Sequence, residues 1–341
     1  MNSVFLQACR REKTPFTPVW LMRQAGRYMK NYRNLRKKTS FLELCKNETL
    51  AAEITVSARE KLKVDAAIIF SDILLVLEAM GLGLEYLKAG GPRIKNALKG
   101  PKNVKALREG NVSDSLSFVF GAIRKSRARL PKDVPLIGFA GAPFTLASYM
   151  IEGGSSKNFS KTKKLMVSDE FPWNTLMEKI SRVTLEYLNS QIEAGADAVQ
   201  LFDSWAGVLT ASEYEKYVLP YSKKLIHALY QKVPVIHFGT CTGPFLEIFS
   251  KAGGDVIGVD HRISLQEAWK RIGPRKAIQG NLDPKILLLS LPEIKKHVKK
   301  ILKEADGRPG HIFNLGHGVL PETSEKNVVA LVEMVHEFSK K

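Results

Sequence analysis

Short apolar runs recur along the chain, and segments with helical periodicity separate them. Within each run apolar side chains occupy consecutive positions, which is typical of strands in a parallel sheet that is covered on both faces. We therefore predict eight strands, at residues 19–22, 65–70, 135–139, 198–202, 233–238, 255–259, 276–280 and 311–315.

The segments between these runs predict helices. Apolar residues at steps of three to five mark a helix over residues 176–192, which Gly195 ends, and another over residues 328–338. Capping-box patterns at residues 212–215 and 264–267 predict two further helix starts. The long gap between residues 70 and 135 contains several Gly and Pro turns, so we expect an excursion from the sheet there.

Eight strands that alternate with helices predict an α/β protein, specifically a (β/α)₈ TIM barrel. Residues 1–341 then form a single domain, since no Pro/Gly/Ser-rich linker divides them. The alternative is an open doubly wound sheet. No GxGxxG motif follows a strand, which argues against a dinucleotide-binding version of that alternative.

The chain is strongly basic, with 52 Lys and Arg against 34 Asp and Glu and a formal net charge of +18. Such a field attracts polyanions: nucleic acid, an anionic membrane or a small molecule with several carboxylates. Much of the charge belongs to lysines on apparent helix faces, which we interpret as solvated surfaces. The clearest example comprises Lys295, Lys296, Lys299, Lys300 and Lys303.

The cysteine pattern favours a reducing compartment. Cys9, Cys45 and Cys241 include no CxxC pair, so neither a disulfide framework nor a zinc finger is predicted. The first residues do not have the pattern of a secretory signal. Residues 134–151 are uncharged but contain prolines and glycines that suit a strand and loop better than a membrane span. We expect a cytoplasmic protein that does not enter the membrane.

Polar side chains follow most of the predicted strands, at the end where barrel enzymes carry their chemistry. After residues 19–22 come Arg23 and Arg27, whose guanidiniums suit carboxylate or phosphate, with Gly26 between them. An anion clamp is one interpretation, and pairing with internal carboxylates is the other. Asp72 follows the next run, where it is either a site carboxylate or a helix N-cap.

Five motifs resemble those of the uroporphyrinogen decarboxylase family, and they occur in the family's order. They are PVWLMRQAGRY at residues 18–28, FSDIL at 70–74, GFAGAPFTLASY at 138–149, FDSWAG at 202–207 and NLGHG at 314–318. The first and third are long and specific. The resemblance therefore covers nearly the whole chain.

The resemblance implies particular roles for residues at the strand ends. It implies that Asp72, Arg23 and Tyr149 are catalytic, and that Arg36 lies near the substrate. The substrate-binding residues that it implies are Arg23, Gln24, Ala25, Gly26, Arg27, Asp72, Tyr149, Ser204 and His317. Without the resemblance, Tyr149 could be a buried aromatic residue, the Asp203-Ser204 pair a helix start, and His317 a structural histidine.

The reaction implied is the decarboxylation of the four acetate side chains of uroporphyrinogen III to methyl groups, which gives coproporphyrinogen III. The family uses no cofactor and no metal, and a homodimer is expected. A protonated pyrrole serves as the electron sink that a cofactor supplies elsewhere. The high positive charge fits a substrate with eight carboxylates.

Two other functions are compatible with parts of the sequence. The first is a zinc- and corrinoid-dependent methyltransferase, for which His237 and Cys241 are candidate zinc ligands; the other two cysteines lie far away, near the N-terminus. The second is a nucleic-acid-binding protein, which the charge permits, although no helix-turn-helix, RNA-recognition or zinc-finger motif is present.

Overall fold

A curled parallel sheet lies at the centre of the computed structural model, which describes residues 3–87, 91–229 and 233–341. Within these ranges seven strands pair in the order β1-β4-β5-β6-β7-β8-β9, and β2 and β3 form a separate antiparallel hairpin. The strands are β1 (Ala67–Ile68), β2 (Leu84–Leu87), β3 (Gly91–Ile94), β4 (Leu136–Gly141), β5 (Ala198–Asp203), β6 (Val235–Gly239), β7 (Val256–Gly258), β8 (Ala277–Gln279) and β9 (His311–Ile312).

Helices surround this sheet. The α-helices are α1 (Val4–Cys9), α2 (Lys30–Lys38), α3 (Phe41–Lys46), α4 (Glu48–Leu62), α5 (Leu75–Ala79), α6 (Pro101–Ala106), α7 (Val112–Ser115), α8 (Ser117–Arg129), α9 (Pro143–Glu152), α10 (Ser160–Met166), α11 (Trp173–Glu193), α12 (Ala211–Tyr217), α13 (Leu219–Ala228), α14 (Leu246–Ser250), α15 (Leu265–Ile272), α16 (Leu291–Ala305) and α17 (Glu325–Ser339). Short 3₁₀ helices span Ala206–Val208, Gly243–Phe245 and Pro284–Leu288. In the described part of the chain, no helix combines the length and the apolarity needed to cross a membrane.

The segment predicted as the first strand, residues 19–22, forms a single parallel bridge between Val19 and Phe313 instead of a strand. The Val19 N–H donates to Asp65 Oδ2 at 2.7 Å, while Asp65 N donates to the Val19 carbonyl oxygen at 2.8 Å. Further along, Met22 N donates to Asn314 Oδ1 at 3.1 Å and Leu315 N donates to the same oxygen at 2.7 Å. The Asn314 side chain therefore takes the two backbone donors that the next step of the ladder would need. The described residues contain seven paired parallel strands, where eight in a closed barrel were predicted.

Side chains on the concave face show how strongly the sheet curls. Gln279 on β8 donates from Nε2 to Gln200 Oε1 on β5 at 2.9 Å, and Trp20 Nε1 donates to Gln279 Oε1 at 2.9 Å. Two strands, β6 and β7, separate β5 from β8 in the sheet order. Side chains from non-neighbouring strands meet only if the sheet bends around them. The interior is thus filled by side chains, as in a barrel core.

Apolar residues on the two faces of the strands pack into two buried clusters. The smaller one includes Trp20, Ile137, Ile236 and Ile312, and it contributes to the filled interior. The larger one joins the opposite faces of the strands to the surrounding helices. This double coverage explains the consecutive apolar positions in each run.

Most helix predictions hold. Residues 176–192 lie within α11, residues 328–338 lie within α17, and Ser264 accepts a hydrogen bond from Glu267 N at the start of α15. The capping box predicted at residues 212–215 is wrong by two positions. Thr210 caps α12 and forms the reciprocal pair with Glu213, because its hydroxyl lies three residues before a glutamate that reaches back to it.

The excursion between β1 and β4 contains the β2–β3 hairpin and four helices, α5 to α8. The hairpin is attached to helix α9. Ile94 N donates to the Gly153 carbonyl oxygen at 2.9 Å, and Arg93 forms an antiparallel bridge with Gly154. One face of the hairpin is thereby held beside the carboxyl ends of the strands.

Candidate active site

Asp72 lies just beyond the carboxyl end of β1, half-buried, before the start of α5. Its Oδ1 accepts a hydrogen bond from Leu74 N at 2.8 Å, so the carboxylate does cap the following turn. Burial raises the pKa of Asp72, and the bond from Leu74, the Tyr86 hydroxyl and the charge of Arg23 oppose that rise. The capping and electrostatic interpretations are therefore compatible.

Tyr86 on β2 is a neighbour of Asp72 that the sequence did not identify. Its hydroxyl makes a hydrogen-bonding interaction with the Asp72 carboxylate, which lowers the pKa of Asp72. Burial, followed by the Asp72 charge, raises the pKa of Tyr86, so the phenol remains protonated. Phe41 holds the ring edge-to-face, with centroids 4.7 Å apart. The sequence signal was a tyrosine in the excursion, without any motif around it.

Arg23 and Arg27 both have exposed side chains. Among the described residues, no carboxylate lies within 4.0 Å of either guanidinium, so neither arginine is consumed by an internal ion pair. The backbone of Arg23 is left-handed, with φ 60°. A Cβ on Gly318 would lie 2.4 Å from Arg23 Cδ, so that glycine provides the space in which the Arg23 side chain lies.

Gln24 braces the loop that carries the two arginines. Its side chain is only 1% exposed; Oε1 accepts from Leu21 N at 3.3 Å, and Nε2 donates to the Ala66 carbonyl oxygen at 3.4 Å. The Tyr28 hydroxyl donates to the Gln24 carbonyl oxygen at 2.5 Å. The Gln24 side chain is thus committed to the loop, while Ala25 and Gly26 remain half-buried beside it.

Tyr149 projects from α9 and is 8% exposed. Burial and the Asp72 carboxylate both raise the pKa of Tyr149, and the charge of Arg23 opposes them. Its ring lies 5.9 Å from that of Trp205, centroid to centroid. The hydroxyl is therefore a protonated donor in the same electrostatic neighbourhood as Asp72.

Ser204 follows β5 directly and is half-buried, and Thr240 Oγ1 donates to its carbonyl oxygen. On either side of it, Thr145 donates to Asp203 Oδ1 at 2.9 Å and accepts from Trp205 N at 3.2 Å. One threonine hydroxyl on α9 therefore fixes the backbone around Ser204.

His317 follows β9 with part of its surface open to solvent. Desolvation by the surrounding protein, together with the charge of Arg23 and with His261 and Arg262, lowers the pKa of His317 to about 4. The ring is therefore neutral at pH 7. Its loop is joined to the arginine segment, since Val319 N donates to the Met22 carbonyl oxygen at 2.9 Å.

A family model described as uroporphyrinogen decarboxylase matches residues 1–338. The chain belongs to the uroporphyrinogen decarboxylase family. Relatives named uroporphyrinogen decarboxylase from Carboxydothermus hydrogenoformans and Solibacter usitatus are each 53% identical to it, over 99% of this chain and 97% and 98% of theirs. One from Geobacter sulfurreducens is 48% identical and aligned over 100% of both chains.

A solved structure, a methyltransferase from Methanosarcina mazei, superposes with a TM-score of 0.84 at 20% identity, covering 99% of this chain and 98% of that one. At that identity the likeness concerns the fold alone. It shows that a uroporphyrinogen decarboxylase family fold and a methyltransferase fold closely resemble each other over their full lengths.

The residues implied by family resemblance divide into two groups by position. Arg23 acts electrostatically on Asp72, Tyr149 and His317, so these four share one neighbourhood. Ser204 joins it through Trp205, which contacts Tyr149. Two other arginines lie to one side. Arg36 and Arg27 both lower the pKa of Tyr32, and Arg36 also lowers the pKa of Cys45, which the Asp72 charge raises. Arg36 Nη1 donates to the Thr39 carbonyl oxygen at 2.5 Å.

The zinc ligands proposed for the rival methyltransferase function do not form a set. His237 is fully buried and stacked on Phe249, with ring centroids 4.0 Å apart, and burial lowers its pKa to about 3. A search of the described residues finds no group of three His, Cys, Asp or Glu side chains able to hold a metal ion. In this family member, His237 is a core residue of β6.

Proposed function

We propose that this chain decarboxylates the four acetate side chains of uroporphyrinogen III, giving coproporphyrinogen III and carbon dioxide in porphyrin and heme biosynthesis. The observation that carries the proposal is membership of the uroporphyrinogen decarboxylase family over residues 1–338. Relatives that bear the enzyme's name and are about half identical along the full length support it further.

The chemistry requires an electron sink, because loss of carbon dioxide from an acetate would otherwise leave an unstabilised carbanion. Protonation of a pyrrole α-carbon makes a cationic ring, which accepts the electron pair released from the breaking C–C bond. A proton then completes the new methyl group, and loss of the proton from the α-carbon restores the neutral pyrrole, so that one proton is taken up for each carbon dioxide released. The substrate thus supplies the sink that pyridoxal or thiamine supplies in other decarboxylases.

Asp72 is the residue that we propose to stabilise this cationic ring. A fixed carboxylate beside the pyrrole N–H groups favours the positive charge as it develops. Tyr86 and Leu74 N support the proposal, because both favour the ionised form against the effect of burial. A carboxylate held by preformed donors needs little reorganisation during the reaction.

The substrate carboxylates need cations and hydroxyl donors. We assign this role to Arg23, Arg27, Tyr149, Ser204 and neutral His317, with a catalytic contribution from Arg23 and Tyr149 beside Asp72. The exposed, unpaired guanidiniums of Arg23 and Arg27 suit carboxylates well. The buried Gln24 side chain supports the loop. We therefore propose that Gln24, Ala25 and Gly26 contribute to substrate binding through their backbone.

The remaining features of the proposal are those expected of a member of this family. Residues 1–341 form one domain of the (β/α)₈ type, in which residues 19–22 occupy the eighth position between β9 and β1. The enzyme is a cytoplasmic homodimer that uses neither metal nor cofactor and binds neither nucleic acid nor membrane. The bridge from Val19 to Phe313 and the bond from Asp65 N to the Val19 carbonyl oxygen support the eighth position.

The proposal is tested by incubating the purified full-length chain with reduced uroporphyrinogen III without oxygen and separating the products by carboxylate number. We expect stepwise appearance of species with seven, six, five and four carboxylates, and four carbon dioxides per ring. Pretreatment with a chelator should leave the rate unchanged. Failure to release carbon dioxide, with the folded chain and intact substrate, would refute the proposed function.

A further inference from the structure

The residues assigned above leave one arc of the strand ends without a substrate ligand. They lie on the segment after residues 19–22, beyond β1, on α9, after β5 and after β9. None follows β6, β7 or β8, which lie between β5 and β9 in the sheet. A flat ring with carboxylates around its whole edge would leave several of them facing this arc.

An exposed arginine, Arg262, lies in that arc and is held by a buried carboxylate, that of Asp260. Asp260, two residues beyond β7, is 2% exposed, and its Oδ2 accepts from Cys241 N at 2.8 Å and from Arg262 Nη1 at 2.5 Å. Its Oδ1 accepts from Arg262 N at 3.1 Å. The Arg262 side chain is nevertheless 55% exposed, because only one edge of the guanidinium faces the carboxylate. The other N–H groups remain available to a ligand.

The backbone around Arg262 is held from several directions. Asn281 Nδ2 donates to the carbonyl oxygens of Asp260 and Ile263, at 2.8 and 2.7 Å. A Cβ on Gly316 would lie only 2.3 Å from His261 N, so the loop that carries His317 packs directly against this turn. A rigid turn loses little conformational freedom when its arginine binds a ligand.

Arg262 also faces the site already described. Its charge is one of those that lower the pKa of His317, alongside those of Arg23 and His261. The nearby carboxylates are Asp260, which anchors it, and Asp283, which lies 3.9 Å from His261 Nε2. Arg262 therefore approaches His317 from the turn after β7, and Arg23 approaches it from the loop after residues 19–22.

We propose that Arg262 is a further substrate-binding residue that holds a peripheral carboxylate of the tetrapyrrole on the β6–β8 side. The proposal rests on the proposed function, since it names a contact for that substrate. Asp260 is a positioning residue in this scheme, because it fixes one edge of the guanidinium and leaves the other for a bidentate carboxylate contact.

The test compares R262A, R262Q and R262K with a matched control, R182A, in the full-length protein. Arg182 lies on the outer helix α11, its side chain is 54% exposed, and its Nε donates to Glu109 Oε2 at 2.6 Å. Each variant is titrated with uroporphyrin, an oxidised analogue with eight carboxylates, and assayed for decarboxylation. We expect R262A and R262Q to raise Kd and KM about tenfold or more, with a smaller change in kcat, which is the loss of one charge-assisted contact.

R262K should recover part of the affinity, since it keeps the charge but loses the fork, and R182A should match the wild type. An R262A variant with wild-type Kd and KM would overturn the role of Arg262 while leaving the enzyme's function intact. A wild-type protein that neither binds uroporphyrin nor decarboxylates uroporphyrinogen would refute both proposals. A fall in thermal stability of R262A without any change in Kd would indicate a purely structural role and also overturn the inference.

Discussion

Two aspartates follow apolar strands at the same end of the sheet, yet their surroundings are opposite. Asp72 is half-buried beyond the end of β1, among Leu74 N, the Tyr86 hydroxyl and the charge of Arg23. Asp203 is the last residue of β5 and is fully buried; Thr145 donates to one of its oxygens, and no described residue bonds to the other. Burial raises the pKa of Asp203 to about 7.

The difference arises from a shift of one residue. Each aspartate follows a phenylalanine, in the orders Phe70-Ser71-Asp72 and Phe202-Asp203-Ser204. Side chains alternate between the faces of a strand, so the shift sends the second acid toward the helix layer, where α9 supplies Thr145. In this sheet the carboxylate with ionic and polar neighbours is therefore a site candidate, whereas the one packed against the helix layer is not.

The largest effect is expected for Asp72→Asn, which keeps the shape of the side chain and the acceptor for Leu74 N but removes the charge. We expect turnover to fall about 10³-fold or more, equivalent to about 4 kcal/mol of transition-state stabilisation. Circular dichroism and thermal melting should show a folded protein. Turnover within a few-fold of wild type would remove Asp72 from its role.

Asp203→Asn should instead change the pH dependence of stability. In the folded wild type the Asp203 carboxyl holds its proton up to its pKa of about 7, whereas in the unfolded chain it ionises above about 3.9. Folding therefore takes up a proton between those values, and stability falls as pH rises through that window, by up to about 4 kcal/mol. Urea unfolding from pH 4 to pH 8 should show this fall in wild type and lose it in the variant. An equal pH dependence in both proteins would contradict the assignment.

Gly318→Ala tests whether activity depends on the position of the Arg23 guanidinium near Asp72. The added Cβ would lie 2.4 Å from Arg23 Cδ, so the guanidinium must move. We expect kcat/KM to fall about tenfold, or about 1.4 kcal/mol, with little change in melting temperature. Gly100→Ala is the control, since no atom of the described residues, apart from its own chain neighbours, lies within 4 Å of its Cβ position. Equal activity of the two variants would show that activity does not depend on the position that the Arg23 side chain occupies beside Gly318.

Tyr86→Phe should have the smallest effect. Loss of the hydroxyl removes one interaction that favours the ionised Asp72, so the pKa of Asp72 rises and the acidic limb of the pH–kcat profile moves to higher pH. Turnover at pH 8 should change less than about threefold. Tyr221→Phe, which loses a surface bond to Asn174, is the matched control and should leave the profile unchanged. An unchanged acidic limb in Tyr86→Phe would show that the Tyr86 hydroxyl does not influence the pKa of Asp72.

Much of the fold followed from the apolar runs, because consecutive buried positions indicate parallel strands wherever both faces are covered. The exception was residues 19–22, where the Asn314 side chain takes the Met22 N–H and only one bridge forms. The hairpin of β2 and β3 could not be foreseen, since its pairing depends on tertiary contacts with α9 rather than on local pattern.

The motifs predicted which residues of the candidate site lie at the strand ends, but they did not predict the contacts that residues outside the motifs make there. Asp72, Arg23, Tyr149 and His317 share one electrostatic neighbourhood, as expected from strand ends that meet at one edge. Tyr86 reaches that edge from β2, in the excursion between β1 and β4, and its local sequence contains no motif that indicates a site residue. The buried side chain of Gln24 was likewise invisible, because a motif does not say which of its members face inward.

The central claim is that Asp72 lies at the pyrrole nitrogens of a bound tetrapyrrole while arginines hold its edge. A crystal structure of the wild-type protein with coproporphyrinogen, grown without oxygen, tests it most directly. We expect an Asp72 carboxylate oxygen within about 3.5 Å of the pyrrole nitrogens. A ring bound elsewhere, or with Asp72 more than about 6 Å from every pyrrole nitrogen, beyond the reach of a hydrogen bond, would contradict it.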